Sequence, residues 1–182
     1  MKKYLFMLIA VVCTTAASAQ QEMLQIKMGD KVVTYPVAEI DEISFIIPQN
    51  QLVSGNHSGK IDVTVGMMTY TTNTVTYVIT ANDDGTIDVV VPEYTLNNTP
   101  MGDMAVGSYT VKNIAYNESK SAFYRDYTDD NIIFHFKTSS IDKDYVVKGD
   151  IEVKKTDNVL TINNNFRPGS MPMSVNTTFG KE

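Results

Sequence analysis

The sequence is poor in the groups that carry most catalytic chemistry. Among 182 residues it has one cysteine, Cys13, two histidines, His57 and His135, and no tryptophan. An excess of positive charge is also missing. Fifteen Lys and Arg stand against 21 Asp and Glu, a net charge of −6. That balance argues against nucleic acid or an anionic membrane surface as a partner, since both demand clustered cations. No apolar run approaches the roughly 20 residues of a membrane-spanning helix. The run YLFMLIAVV at residues 4–12 is too short, so the chain is not expected to be transmembrane.

That run sits in the order of an export signal. Lys2 and Lys3 precede it, and Ala17-Ser18-Ala19 supplies the small residues a signal peptidase needs. Cys13 follows Val12 where a lipid-attachment site would have a small residue, so lipid anchoring is not expected. Cleavage after Ala19 leaves a mature chain without cysteine, which removes disulfides and thiol chemistry together. It also takes away Lys2 and Lys3, and the net charge falls to −8. A chain of about 160 residues can bury enough apolar surface to fold as one domain without such staples.

Tyrosine, threonine, valine and asparagine are frequent, and runs favouring helix are scarce, which is the composition of an all-β protein. Residues 24–48, LQIKMGDKVVTYPVAEIDEISFIIP, read as a strand, a Gly29-Asp30 turn and a second strand. This segment resembles an N-terminal piece that recurs in secreted proteins of Bacteroides-type bacteria. Pro48-Gln49-Asn50-Gln51 reads as a linker. The expected organisation is a signal at 1–19, a β-rich extension and linker at 20–50, and a β domain at 51–182.

From Gly55 the alternation is regular. Ile61, Val63 and Val65 share one face; Val75, Tyr77 and Ile79 another; Ile87, Val89 and Val91 a third. Asn82-Asp83-Asp84-Gly85 marks a turn, and Pro92 ends a ladder because it has no N–H. NNTPMGDMAVG at residues 97–107 reads as a loop, and residues 117–130 as a polar connection. Tyr109 and Val111 face one way, as do Phe134 and Phe136, and the stretch at 147–154 is two-faced throughout. After the turn at Arg167-Pro168-Gly169-Ser170, Met171, Met173, Val175, Thr177 and Phe179 alternate with polar residues. Eight strands result. An eight-stranded antiparallel up-and-down meander escapes its two open edges only by pairing first strand with last. Residues 61–65 and 171–179 are therefore expected neighbours.

Five stretches, GNHSGKIDV, DDGTIDVVVPEY, MAVGSYTVKNI, VVKGDIEV and RPGSMPMSVNTTFGK, occur in that order between residues 55 and 181. Together they resemble the calycin-like, lipocalin-like β-barrel domains of secreted Bacteroides-type proteins. The resemblance implies a closed eight-stranded barrel in the periplasm or at the surface of a Gram-negative cell. It leaves the ligand open, because barrels of this shape serve carriers, inhibitors and some enzymes.

No catalytic constellation accompanies the histidines, so the chain is not expected to be an enzyme. The acidic pairs lack the ladder of a calcium loop, and Asp83-Asp84 is explained by its turn. No metal or cofactor is expected. A barrel of this strand number holds packed side chains or one small ligand. If it holds a ligand, Tyr77, Val89, Tyr109, Phe134 and Met173 are the inward positions expected to line the site, and the ligand is small and partly apolar. The alternative is an interaction module that meets a protein or glycan through its loops or the N-terminal β unit. Met67, Met68, Met101, Met104, Met171 and Met173 suit either an adaptable apolar pocket or ordinary core filling.

Overall fold

The computed structural model describes residues 22–43 and 48–180. The expected signal, with Cys13, lies outside the described residues. Contacts divide the chain into two units, residues 1–46 and 47–182. In the first, β1 (Met23–Met28) pairs antiparallel with β2 (Lys31–Pro36), in register from Met23–Pro36 to Met28–Lys31. Gly29 carries φ +60° in the turn between them. Val32, Val33 and Tyr35 are exposed, as two strands alone bury little. A 3-10 turn, Val37–Glu39, follows.

The second unit opens with the short helix α1 (Gln49–Val53) and continues as one curled antiparallel sheet. Its segments are β3 (Gly55–Gly59), β4 (Ile61–Val65), β5 (Met68–Thr71), β6 (Val75–Ala81), β7 (Ile87–Val91), β8 (Tyr94–Thr99), β9 (Gly102–Val106), β10 (Tyr109–Asn117), β11 (Ala122–Asp126), β12 (Ile133–Lys137), β13 (Asp142–Thr156), β14 (Val159–Pro168) and β15 (Val175–Phe179). Thirteen segments replace the eight continuous strands read from the sequence, because the backbone breaks at local features. Pro92 cannot donate to the ladder between β7 and β8. The Gly107 N–H turns to the His135 carbonyl between β9 and β10. Residues 127–132 loop out between β11 and β12, and Tyr127 N–H and Val147 N–H pick up Gly149 and Ile132 carbonyls across the gap.

β15 lies between β14 and β4, with Val175 opposite Val65 and Phe179 opposite Ile61. Only Lys60 separates β4 from β3, and β3 pairs with β6. The end of the chain therefore meets the start of the same sheet. The pairing with residues 61–65 begins at Val175, however, and not at Met171. Pro172 interrupts the ladder just before it, so alternation at 171–174 is not enforced by pairing. Met171 is half-buried and Met173 is 43% exposed.

Alternating side chains build the interior in layers. One layer runs Tyr70, Val63, Thr177, Asn164, Ile151 across five adjacent strands. The next runs Ile61, Phe179, Ile162, Val153. Helix α1 lies over the end where β6 turns into β7. Asn50 donates from Nδ2 to the Asn82 and Thr86 carbonyls, Val53 is buried, and Lys155 Nζ donates to the Leu52 carbonyl at 2.9 Å. The turns at 66–67, 100–101, 138–141 and 169–174 fall at the opposite end by the alternation of strand direction.

Candidate functional site

The strands bring four tyrosines into one part of the interior. Tyr77 comes from β6, Tyr94 from β8, Tyr109 from β10, and Tyr127 from the loop after β11; all are buried. Asn164 of β14, wholly buried, ties two of them together. Tyr127 donates its hydroxyl to Asn164 Oδ1 at 2.6 Å, and Asn164 Nδ2 donates to the Tyr109 oxygen at 2.7 Å. The Tyr109 and Tyr127 oxygens are 3.5 Å apart. The neighbouring Thr177 hydroxyl donates to the Asn164 carbonyl at 3.2 Å.

The hydroxyls of Tyr77 and Tyr94 have no hydrogen-bond partner and are closed to solvent. Thr177 lies near enough to Tyr77 to favour its ionised form slightly, yet no hydrogen bond of ordinary geometry joins them. Burial dominates the electrostatics. It pushes the Tyr109 hydroxyl up to about 12, and its bonds to Tyr127 and Asn164 offset only part of the rise. Burial also raises Tyr77 and Tyr127, and Tyr94 well above the usual phenol value. Tyr109 opposes ionisation of each of the other three. All four are therefore neutral donors at physiological pH.

Ring packing surrounds this cluster. Tyr109 contacts Phe134 at 5.9 Å between centroids, Phe166 at 6.1 Å and Tyr127 at 6.4 Å. Tyr77 meets Phe179 edge-on at 5.3 Å. Of the residues expected to line a site, Tyr77, Tyr109 and Phe134 thus converge. Val89 is buried but pairs with Ile79 and Val111, toward the end that α1 covers. Met173 corrects the expectation: it is exposed, outside the strand, and lines no part of the interior.

The wall of the sheet parts beside Tyr94. Among the described residues β5 pairs only with β4, and β8 only with β9. Between them lies a groove of about 480 Å³, bounded by Thr72, Asn73 and Val75 on one side and Glu93, Thr95 and Asn97 on the other, with Tyr94 among its lining. A second groove of the same volume lies over Gly149, Asn165 and Arg167. Its only aromatic neighbour is Phe166, and it has no unpartnered buried group, so the Tyr94 groove is the stronger candidate.

His135 and Lys137 stand on the rim of the Tyr94 groove. Asp144 holds His135 Nδ1 at 2.8 Å, Asp142 holds Nε2 at 3.0 Å, and Lys137 reaches Asp142 at 2.7 Å. The bond to Asp144 raises the imidazole above its ordinary value, with Asp142 assisting. His57, on β3, bonds through Nε2 to the Val53 carbonyl at 2.9 Å. No group of three or more His, Cys, Asp or Glu that could hold a metal occurs among the described residues.

Sequence reading missed Tyr94 and Asn164 as members of the cluster. Tyr94 follows the ladder-breaking Pro92, whereas Tyr127, in a stretch read as a polar connection, still stood out beside Tyr77, Tyr109 and Tyr124 as an amphipathic side chain suited to a ligand or to the barrel interior. Asn164 was within reach, because period two places it on the face of Leu160, Ile162 and Phe166. Its polarity, inside the run Asn163-Asn164-Asn165, argued the other way.

A family model described as calycin-like beta-barrel domain matches residues 53–181. Among solved structures, the fold is similar to a crystal structure of a "putative outer membrane protein" from Bacteroides fragilis, with a TM-score of 0.49, 20% sequence identity, and coverage of 88% of this chain and 72% of that one. No curated protein matches the chain.

Proposed function

Because the chain belongs to the calycin-like β-barrel family, we propose that it is an exported, non-catalytic barrel that binds one small, partly apolar molecule through the Tyr94 groove and the tyrosine cluster behind it. The observation that carries this is the groove of about 480 Å³ lined by Tyr94, at the place where the wall is unpaired. Ligand sites are mostly apolar with a few aimed polar groups, and the aromatic interior with its tyrosyl hydroxyls has that character.

On this reading the thirteen segments compose eight long strands. β3–β4, β5–β6, β7–β8, β9–β10 and β11–β12 are each one interrupted strand, and β13, β14 and β15 are one each. The registers support it: Val91 faces Tyr109 and Tyr94 faces Val106, so β7–β8 and β9–β10 run as one hairpin across their breaks. Export rests on the order of Lys2, Lys3, the apolar run and Ala17-Ser18-Ala19. A binding rather than proton-transfer role fits His135, whose two ring nitrogens are both held by carboxylates.

The test is capture. Purified protein is incubated with a mixed lipid and metabolite extract, desalted and examined by native mass spectrometry. One retained small molecule per chain is the expected result. A protein that emerges bare from every extract refutes the reading.

A second reading has its own observation. Met67 and Met68 are exposed at the end opposite α1, and Met68, Val65 and Val175 lie side by side in the ladder there, close in sequence to exposed Met173. An apolar rim of this kind favours contact with a protein or glycan through the loops. Replacing Met67, Met68 and Met173 by serine separates the two: it abolishes partner binding on the second reading and leaves small-molecule capture unchanged on the first.

A further inference from the structure

Resting on the ligand-binding reading above, we infer that the bound molecule presents an uncharged hydrogen-bond acceptor, such as a carbonyl oxygen, to the hydroxyls of Tyr77 and Tyr94. The argument is a count of donors and acceptors. Four tyrosyl hydroxyls share this interior, and each brings one hydrogen to give. Tyr127 gives its hydrogen to Asn164 Oδ1. Tyr109 already receives Asn164 Nδ2, and the Tyr127 oxygen is 3.5 Å away, a long distance for a hydroxyl bond. Tyr77 and Tyr94 make no hydrogen bond, although the Thr177 hydroxyl lies near Tyr77. Two buried hydroxyls are thus left with their hydrogens ungiven, and buried donors in folded proteins are ordinarily satisfied. A phenol is a stronger donor than acceptor, because its oxygen shares a lone pair with the ring. A ligand that brought a lone pair would therefore satisfy these hydroxyls better than one that brought only a donor.

The charge of the ligand follows from the same interior. The buried polar side chains among the described residues are Asn50, Thr72, Thr138, Asn164 and Thr177, with no Lys, Arg, Asp or Glu among them. A carboxylate or ammonium taken into that interior would lack a counter-ion. A neutral carbonyl needs none. The hydroxyls stay protonated well past neutral pH, because burial disfavours their ionised forms.

Access is built into the sheet. Both hydroxyls are closed to solvent as the strands stand, so Tyr94 must turn outward to admit a ligand. β8, which carries it, is paired on one edge only, and the register of that pairing shifts between Leu96 and Thr99. Movement of β8 therefore disturbs a single ladder.

The experiment compares two probes of nearly equal shape, 2-acetylnaphthalene and 2-ethylnaphthalene, binding to the purified mature chain and to its Tyr77→Phe and Tyr94→Phe variants. The acetyl probe is expected to bind about tenfold tighter, the worth of one good hydrogen bond. Each phenylalanine variant is expected to lose most of that preference while melting at the same or a higher temperature, since an unpartnered buried hydroxyl is removed. Equal affinity for the two probes in the unaltered chain overturns the inference and leaves the ligand-binding reading intact. A preference that survives in both variants also overturns it, because the hydroxyls then take no part. Binding of neither probe overturns both readings.

Discussion

Tyr127 donates its hydroxyl to Asn164 Oδ1 at 2.6 Å, joining two residues 37 apart in sequence inside the curled sheet. Asn164 passes the connection on to Tyr109. Replacing Asn164 by leucine keeps the branched shape of the side chain and strands both tyrosines. Buried groups left without partners cost about 1–3 kcal/mol each, so Asn164→Leu is expected to lose about 3 kcal/mol in urea unfolding. A loss below about 1 kcal/mol would mean that the cluster does not hold the fold.

Gly149 lies where β13 crosses β14, opposite Phe166. A methyl group there would collide with the Asn165 carbonyl oxygen and the Phe166 Cα, both backbone atoms that cannot swing aside. Gly149→Ala is expected to destabilise by about 3 kcal/mol or to prevent folding, as overpacking against backbone does. A variant with an unchanged melting temperature would show that the two strands separate freely.

The buried tyrosines make the fold sensitive to alkali. Their native values are raised by burial, above the roughly 10 of an exposed phenol. The unfolded chain therefore loses these protons first as pH rises, and stability falls from about pH 10 upward. Each fully buried tyrosine contributes a slope of about 1.4 kcal/mol per pH unit until it ionises in the native state. Denaturant unfolding between pH 8 and 11 should show a plateau and then this decline, shallower in Tyr77→Phe. A flat profile to pH 11 contradicts it.

His135 tests the outer face. Its value is raised by the bond to Asp144, so the charged imidazole is favoured in the fold. Whatever stability it adds is present below the unfolded value near 6.5 and disappears as pH climbs through the native one. A proton NMR titration should place His135 above the ordinary imidazole value near 6.5, and Asp144→Asn should bring it down. An unmoved midpoint in that variant would remove Asp144 as the cause.

β15 tests closure. It is the one element paired with both β14 and β4, and deleting residues 175–182 would open an edge on each. Aggregation or loss of cooperative unfolding is expected. A soluble truncation with a sharp melt would show that the sheet does not depend on the pairing.

Much of this was legible in the chain. Ile61, Val63 and Val65, or Ile87, Val89 and Val91, declare their faces by period two, and the meander follows from short connections. Where turn residues crowd, the pattern failed. Residues 97–107, read as a loop, contain β9 and the end of β8, with Asn98 at φ +59° and Gly102 at φ +80° in the turn region. Residues 117–130, read as a polar connection, hide β11 with buried Phe123. A pattern of two cannot separate a short strand from a turn when Asn, Gly and Pro serve both.

By itself the sequence determined the all-β class, the faces of the main strands and the return of the final strand to residues 61–65, because each is written in local alternation and in the need to cover sheet edges. Only the tertiary structure decided which polar groups meet inside. Tyr77, Tyr94, Tyr109, Tyr127 and Asn164 come from five separate stretches, and their hydrogen bonds depend on register and curvature summed over many strands. It was the fold, too, that put Met173 outside, because a side chain's face is fixed only where a ladder holds it.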